Sequence, residues 1–136
     1  MINLLDFSKK LFASLLVVIA LPTLAIAGGH ASGLSGDDYV GVTFWIISMA
    51  MVASTVFFIV ERDRVSSKWK TSLTVSALVT LIAAVHYFYM RDVWVATGES
   101  PTVFRYIDWL LTVPLLMIEF YFILAAVTTV SVGIFW

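Results

Sequence analysis

The sequence predicts an all-α membrane protein, and three observations carry that expectation: an excess of apolar residues, charge-free runs long enough to cross a bilayer, and charges gathered between those runs. Of 136 residues, 61% are hydrophobic and 12% charged, whereas a soluble globular chain is nearer half apolar and a quarter charged. The formal net charge is −1 and no basic block is present. Nucleic acid is therefore not an expected partner, because such binding needs clustered Lys and Arg against phosphates. Cysteine is absent, which excludes a disulfide framework, a thiolate metal site and a cysteine nucleophile. No metal site is expected.

Taken in order, residues 1–27 read as a cleavable secretory signal. Lys9 and Lys10 precede an uncharged apolar run from Leu11 to Ala27 that is broken by Pro22 and ends in Ala25-Ile26-Ala27, a small-x-small cleavage pattern. An uncleaved first span ranks second, since Pro22 and Gly28-Gly29 would shorten any helix there. Residues 28–38 are Gly- and Ser-rich and read as an outer tail. Tyr39 to Val60 carries no charge and is long enough for ~30 Å of hydrocarbon at about 1.5 Å per residue, so the first helix is expected over about 39–61. Four of the eight basic residues, Arg62, Arg64, Lys68 and Lys70, follow within ten positions. By the positive-inside bias that loop faces the cytoplasm.

Thr71 to Met90 lacks Lys, Arg, Asp and Glu, and Arg91-Asp92 closes the run, giving a second helix over about 71–91. A short outer connection containing Gly98 leads to Ser100-Pro101, and proline suits a first helical turn. The third helix is expected over about 101–128. The run from Thr128 to Trp136 is apolar and uncharged, and reads as the approach to a fourth helix in a chain that is part of something longer. No internal repeat is present, and one all-α membrane bundle is expected.

The third span is not clean. Arg105, Asp108 and Glu119 lie within it, at depths where each charge costs roughly 2.5–3.5 kcal/mol on the insertion scale. At about 100° per residue, with Asp108 as zero, Glu119 falls at about 20°, Thr112 at about 40°, Arg105 at about 60° and Leu116 at about 80°. All five share one face. Asp108 and Glu119 are three turns apart, about 16 Å along the axis. Two acids at different depths on one stripe suit proton translocation, in which one group accepts near one face and another donates near the other. Arg105, one turn outward of Asp108, can stabilise its carboxylate, so Asp108 reads as acceptor. Glu119 has no basic neighbour on its helix and sits among Leu, Ile, Phe and Tyr, which suits a group that holds its proton at rest. The plainer reading is that these groups only bond other helices and fix packing.

His86 lies at the depth of Asp108. It can donate to that carboxylate and make transfer pH-dependent, or bond a backbone carbonyl among Tyr87, Phe88 and Tyr89; the spacing leaves both open. Pro114 removes one backbone hydrogen bond from the third helix, and Trp109 can wall an aromatic pocket or simply pack.

The run Arg105-Tyr106-Ile107-Asp108-Trp109-Leu110-Leu111-Thr112-Val113-Pro114-Leu115-Leu116-Met117-Ile118-Glu119-Phe120 closely resembles the third helix of the microbial rhodopsins, in particular the proteorhodopsins. The likeness extends to Phe57–Val65 and to Lys68–Thr74. It implies a seven-transmembrane-helix bundle, of which this chain supplies three helices and the approach to the fourth, around all-trans-retinal held as a protonated Schiff base. It further implies a light-driven outward proton pump in which Asp108 is counterion and proton acceptor, Glu119 the cytoplasmic donor and Arg105 part of the release side. Asp108, Thr112 and Glu119 match the combination of the outward proton pumps. The resemblance puts His86 on the histidine that pairs with the acceptor and Trp109 against the polyene. Leu116 falls on the colour-tuning position, where an apolar residue implies green absorption.

The resemblance implies a bacterial inner membrane location with the N-terminus outside, and homo-oligomers of the full-length form. The family's retinal lysine lies in its seventh helix; the lysines here are Lys9, Lys10, Lys68 and Lys70, none of them mid-membrane. An N-terminal fragment of a pump is therefore expected. A small three-helix interaction subunit and a sensory photoreceptor are the alternatives.

Overall fold

A computed structural model describes Lys9 and residues 35–134. The expected signal segment, apart from Lys9, and the tail up to residue 34 lie outside the described residues. Three long helices account for most of the remainder: α1 (Tyr39–Glu61), α2 (Lys70–Thr97) and α3 (Thr102–Val127). A 3-10 turn at Ser67–Trp69 leads into α2, and another at Val132–Ile134 follows α3. All three helices are long and apolar enough to cross a membrane. Among the described residues α2 is the middle helix, packed on both α1 and α3, which do not pack on each other.

Each helix begins and ends for a local reason. Asp38 caps α1, its Oδ1 accepting the Gly41 N–H at 2.9 Å, which satisfies one of the otherwise unpartnered first-turn donors. A Cβ at position 41 would collide with that carboxylate, so a larger residue there would push the Asp38 side chain out of this capping position. α2 ends at Gly98, whose φ of 69° is a left-handed conformation that costs glycine little, and the Gly98 N–H reaches Trp94 O at 2.7 Å. Pro101 is the N-cap of α3, and its carbonyl accepts from Arg105 N at 3.2 Å. At the other end Lys68 Nζ donates to Ala126 O at 3.0 Å, a cation on the negative end of α3.

Two boundaries differ from expectation. The second helix does not stop at 91 but runs six residues further, because a charge pair ends an apolar span without ending a helix; Arg91 and Asp92 lie 3.5 Å apart within it, and only Gly98 turns the chain. Pro101 stands one position before the first helical residue rather than inside the turn.

Packing between α1 and α2 uses small residues. Gly41, Ser48, Val52 and Thr55 of α1 are buried, as are Ala77, Ala83 and Ala84 of α2, which lets the backbones approach closely, as membrane helices do. Phe44 meets Tyr87 with ring centroids 5.8 Å apart, and Thr55 Oγ1 lies 2.8 Å from Thr80 Oγ1. On the other side Tyr89 and Phe104 join α2 to α3 edge to face at 4.8 Å.

Candidate functional site

The inward face of α3 is polar. Its only buried residues among those described are Asp108 and Thr112, while Leu110, Leu111, Val113, Met117 and Phe120 are exposed. A soluble helix would invert that pattern; in a bilayer, lipid covers the apolar sides and the polar stripe turns to a neighbour.

Asp108 is 5% exposed and points at α2. His86 Nδ1 stands 3.4 Å from Asp108 Oδ1 and 3.0 Å from Ile82 O. Both neighbours of that nitrogen are acceptors, so Nδ1 carries the hydrogen. The two roles open to His86 are thus combined at one atom, which bonds its own helix and faces the carboxylate. At 3.4 Å the approach is electrostatic, and Oδ1 has no hydrogen-bond partner among the described residues. Thr112 Oγ1 donates to Asp108 O at 3.0 Å, so the hydroxyl braces the turn of backbone that carries the acid.

Three turns further along, Glu119 meets α2 again. Ser76, itself buried, makes a hydrogen bond with Glu119 Oε1, and its Oγ also lies 3.1 Å from Ser72 O. A hydroxyl has one hydrogen to give. With a protonated Glu119, the acid donates to Ser76, which donates to Ser72 O; with an ionised Glu119, Ser76 turns its hydrogen to the carboxylate. One side chain therefore serves both states of the acid. Ser76 was not singled out from sequence. Its signal was available in the series Ser72, Ser76, Thr80, a stripe of hydroxyls at four-residue spacing that places them on one face of α2.

The remaining expected residues lie to one side. Arg105, Trp109 and Leu116 are exposed, at about 60–100° from Asp108 around α3, on the flank that α2 leaves open. Arg105 does not pair with Asp108. It lines a cleft of about 380 Å³ at the Gly98 end, together with Tyr39, Thr43, Phe44, Ile47 and Tyr87. The expected single face is thus divided into Asp108, Thr112 and Glu119 against α2, and Arg105 and Leu116 towards open space, where Trp109 also lies. Asp38 also proves more than a tail residue: besides its cap it accepts the Trp94 indole N–H at 3.0 Å, tying the start of α1 to the end of α2. That contact crosses 56 positions, and no local pattern announces it. No cluster of metal-ligating side chains occurs among the described residues.

Carboxyls held at two depths against one neighbouring helix define a class, that of multi-pass helical membrane proteins with titratable groups in the bundle interior. A model of the family described as bacteriorhodopsin-like protein matches residues 38–135. The green-light absorbing proteorhodopsin of the gamma-proteobacterium EBAC31A08 is 66% identical over 126 residues, 93% of this chain and 49% of that protein. The blue-light absorbing proteorhodopsin of the gamma-proteobacterium Hot 75m4 is 61% identical over the same shares. Among solved structures, the crystal structure of blue light-absorbing proteorhodopsin from Med12 aligns with a TM-score of 0.63 at 66% identity, covering 65% of this chain and 44% of that one. The chain belongs to the bacteriorhodopsin-like family, and these relatives are proteorhodopsins. It spans about half the length of the curated relatives it matches.

Proposed function

We propose that these three helices form the acceptor-and-donor arm of a retinal-binding, light-driven outward proton pump in a bacterial plasma membrane. One observation carries the reading: Asp108 and Glu119 face the same helix about 16 Å apart along the axis, each against a side chain of that helix that can hold or pass a hydrogen, His86 and Ser76. The residues also suit the chromophore. A buried carboxylate oxygen without a hydrogen-bond partner beside exposed Trp109 and Leu116 matches a polyene with a cationic end. When bound, retinal supplies the absorption of light and the positive charge that Asp108 opposes.

The chain's own residues then divide the work. Asp108 takes up a proton at its carboxylate, with the Nδ1–H of His86 facing the charge before uptake. Thr112 keeps the carboxyl in place through the backbone. Glu119 gives up a proton at Oε1, and Ser76 turns from Ser72 O to hold the carboxylate until it is reloaded. Arg105, a turn nearer the Gly98 end, keeps the release side positive. If the basic loop 62–70 is cytoplasmic by the positive-inside bias, the order from Glu119 to Asp108 runs outward.

The test uses the protein at the relatives' full length, with retinal added to cells and the medium pH followed under illumination. The expected result is acidification that Asp108→Asn abolishes and Glu119→Gln slows at the proton-uptake step. Unchanged uptake in Glu119→Gln would favour a sensory photoreceptor and remove the donor from the scheme.

A further inference from the structure

A second cleft, of about 220 Å³, lies between α1 and α2 at the end that carries the 62–70 loop, lined chiefly by Ile59, Arg62, Thr74, Ala77, Leu78 and Leu81. Its direction follows from the helical wheel. With Ser76 as zero, the α2 residues that meet the acids of α3 are Ser76 and His86, the latter at about −80°, whereas Ala77, Leu81, Thr74 and Leu78 fall between about 100° and 200°. The cleft therefore opens on the side of α2 away from α3. Leu78 is exposed there.

Its chemistry is divided by depth. At the mouth stands Arg62, exposed, directly after the last residue of α1, with no ion pair or hydrogen bond to its guanidinium among the described residues. The nearby Glu61 is engaged by Arg64 at 3.6 Å. Below the mouth the walls are aliphatic, and the two threonine hydroxyls are already committed: Thr74 Oγ1 donates to Lys70 O at 2.8 Å, and Thr55 Oγ1 lies 2.9 Å from Met51 O and 2.8 Å from Thr80 Oγ1. The deepest wall residue, Leu81, is eleven positions from the start of α2, about 16 Å at 1.5 Å per residue, which matches one leaflet of a ~30 Å hydrocarbon core.

We propose that this groove binds one anionic phospholipid of the leaflet on the 62–70 side, its phosphate on Arg62 and one acyl chain along Ile59, Ala77, Leu78 and Leu81. A planar guanidinium takes phosphate oxygens in pairs. The surrounding segment favours an anion as well, since residues 61–70 hold four basic and two acidic side chains.

The test is native mass spectrometry of the full chain in detergent, titrated with phosphatidylglycerol or with phosphatidylcholine. The expected result is one retained phosphatidylglycerol, with a preference of about fivefold or more over phosphatidylcholine, the ~1 kcal/mol that one basic side chain contributes near an anionic surface. Arg62→Gln removes most of that preference, Leu78→Trp fills the groove and lowers retention of both, and Arg64→Gln, whose guanidinium is engaged by Glu61, lowers the preference by less than Arg62→Gln does. Glycerol 3-phosphate, which has the charge without the chains, does not compete. Undiminished preference in Arg62→Gln, undiminished retention in Leu78→Trp, or displacement by glycerol 3-phosphate each overturns the assignment. So does a two-chain species that Leu78→Trp disperses, which would give the groove to a second copy.

Discussion

The bond between Ser76 and Glu119 is the contact whose removal tests the site most directly. Ser76→Ala deletes the hydroxyl without altering the helix backbone, and Ser72 O keeps its place in the α2 ladder. The net loss is one interhelical hydrogen bond to a carboxyl. Such bonds average about 0.6 kcal/mol in membrane proteins and reach about 1.7 kcal/mol; a carboxyl partner and a buried serine put this one near the middle, at about 1 kcal/mol. The measurement is a double-mutant cycle with Glu119→Leu, read by equilibrium unfolding in mixed micelles titrated with dodecyl sulfate. Each single change should destabilise the chain, and the double change should fall short of their sum by about 1 kcal/mol. Two changes that add to within about 0.3 kcal/mol, as independent sites do, would refute the coupling and with it the role of Ser76 as partner to both states of the acid.

Three further outcomes follow from the same structure. Gly98→Ala should cost about 1 kcal/mol, since a Cβ is placed on a φ of 69°; equal unfolding midpoints would mean that the turn tolerates alanine. Asp38 has its carboxyl held below the ordinary value of 3.8, first by the Gly41 N–H and then by the Trp94 indole. Its contribution to stability is therefore complete above about pH 3.8 and is lost as pH falls through the depressed value, so Asp38→Ala should flatten the acid limb of the stability profile, and an unaltered limb would count against the clamp. Replacing Thr55 or Thr80 by Val should lower stability by about 0.6 kcal/mol, with the two changes together costing less than the sum of the singles, since their shared 2.8 Å contact is counted in both.

Much of this arrangement was legible because bilayer thickness and hydropathy set the helices almost alone. The charge-free run from Tyr39 to Val60 sets α1 and Ser100-Pro101 marks the start of α3, each to within a residue or two, and the eleven-residue spacing of Asp108 and Glu119 places both acids on one face of α3. What could not be read was which part of that face would be covered. Arg105 and Leu116 share the stripe by angle, but α2 covers only an arc of it, and the arc depends on how two helices rotate against each other. The end of α2 escapes the sequence for a different reason: Arg91 and Asp92 end the apolar run, while the helix continues until a left-handed glycine is available. Partners distant in sequence, such as Trp94 for Asp38 and Ser76 for Glu119, depend on tertiary placement that single-helix periodicity does not contain.

The inverted burial of α3 also sets how this protein divides stability from activity. In water, the apolar side chains of a helix hold it to its neighbours, and polar site residues are exceptions carried by that core. Here Leu110, Leu111, Met117 and Phe120 are turned away from α2, so they contribute little to holding α3 on α2. What holds it includes the aromatic edge between Tyr89 and Phe104, the Lys68 contact at Ala126 O, and the contacts of Asp108 and Glu119 themselves. Two of the four are carboxyls. Any change of proton occupancy at Asp108 or Glu119 therefore alters the force between these two helices, and, on the proposed pumping role, variants that neutralise either acid should shift helix association and proton transfer together. A variant such as Asp108→Leu that abolished transfer while leaving the α2–α3 interaction energy untouched would show that packing alone, not the polar stripe, holds the pair.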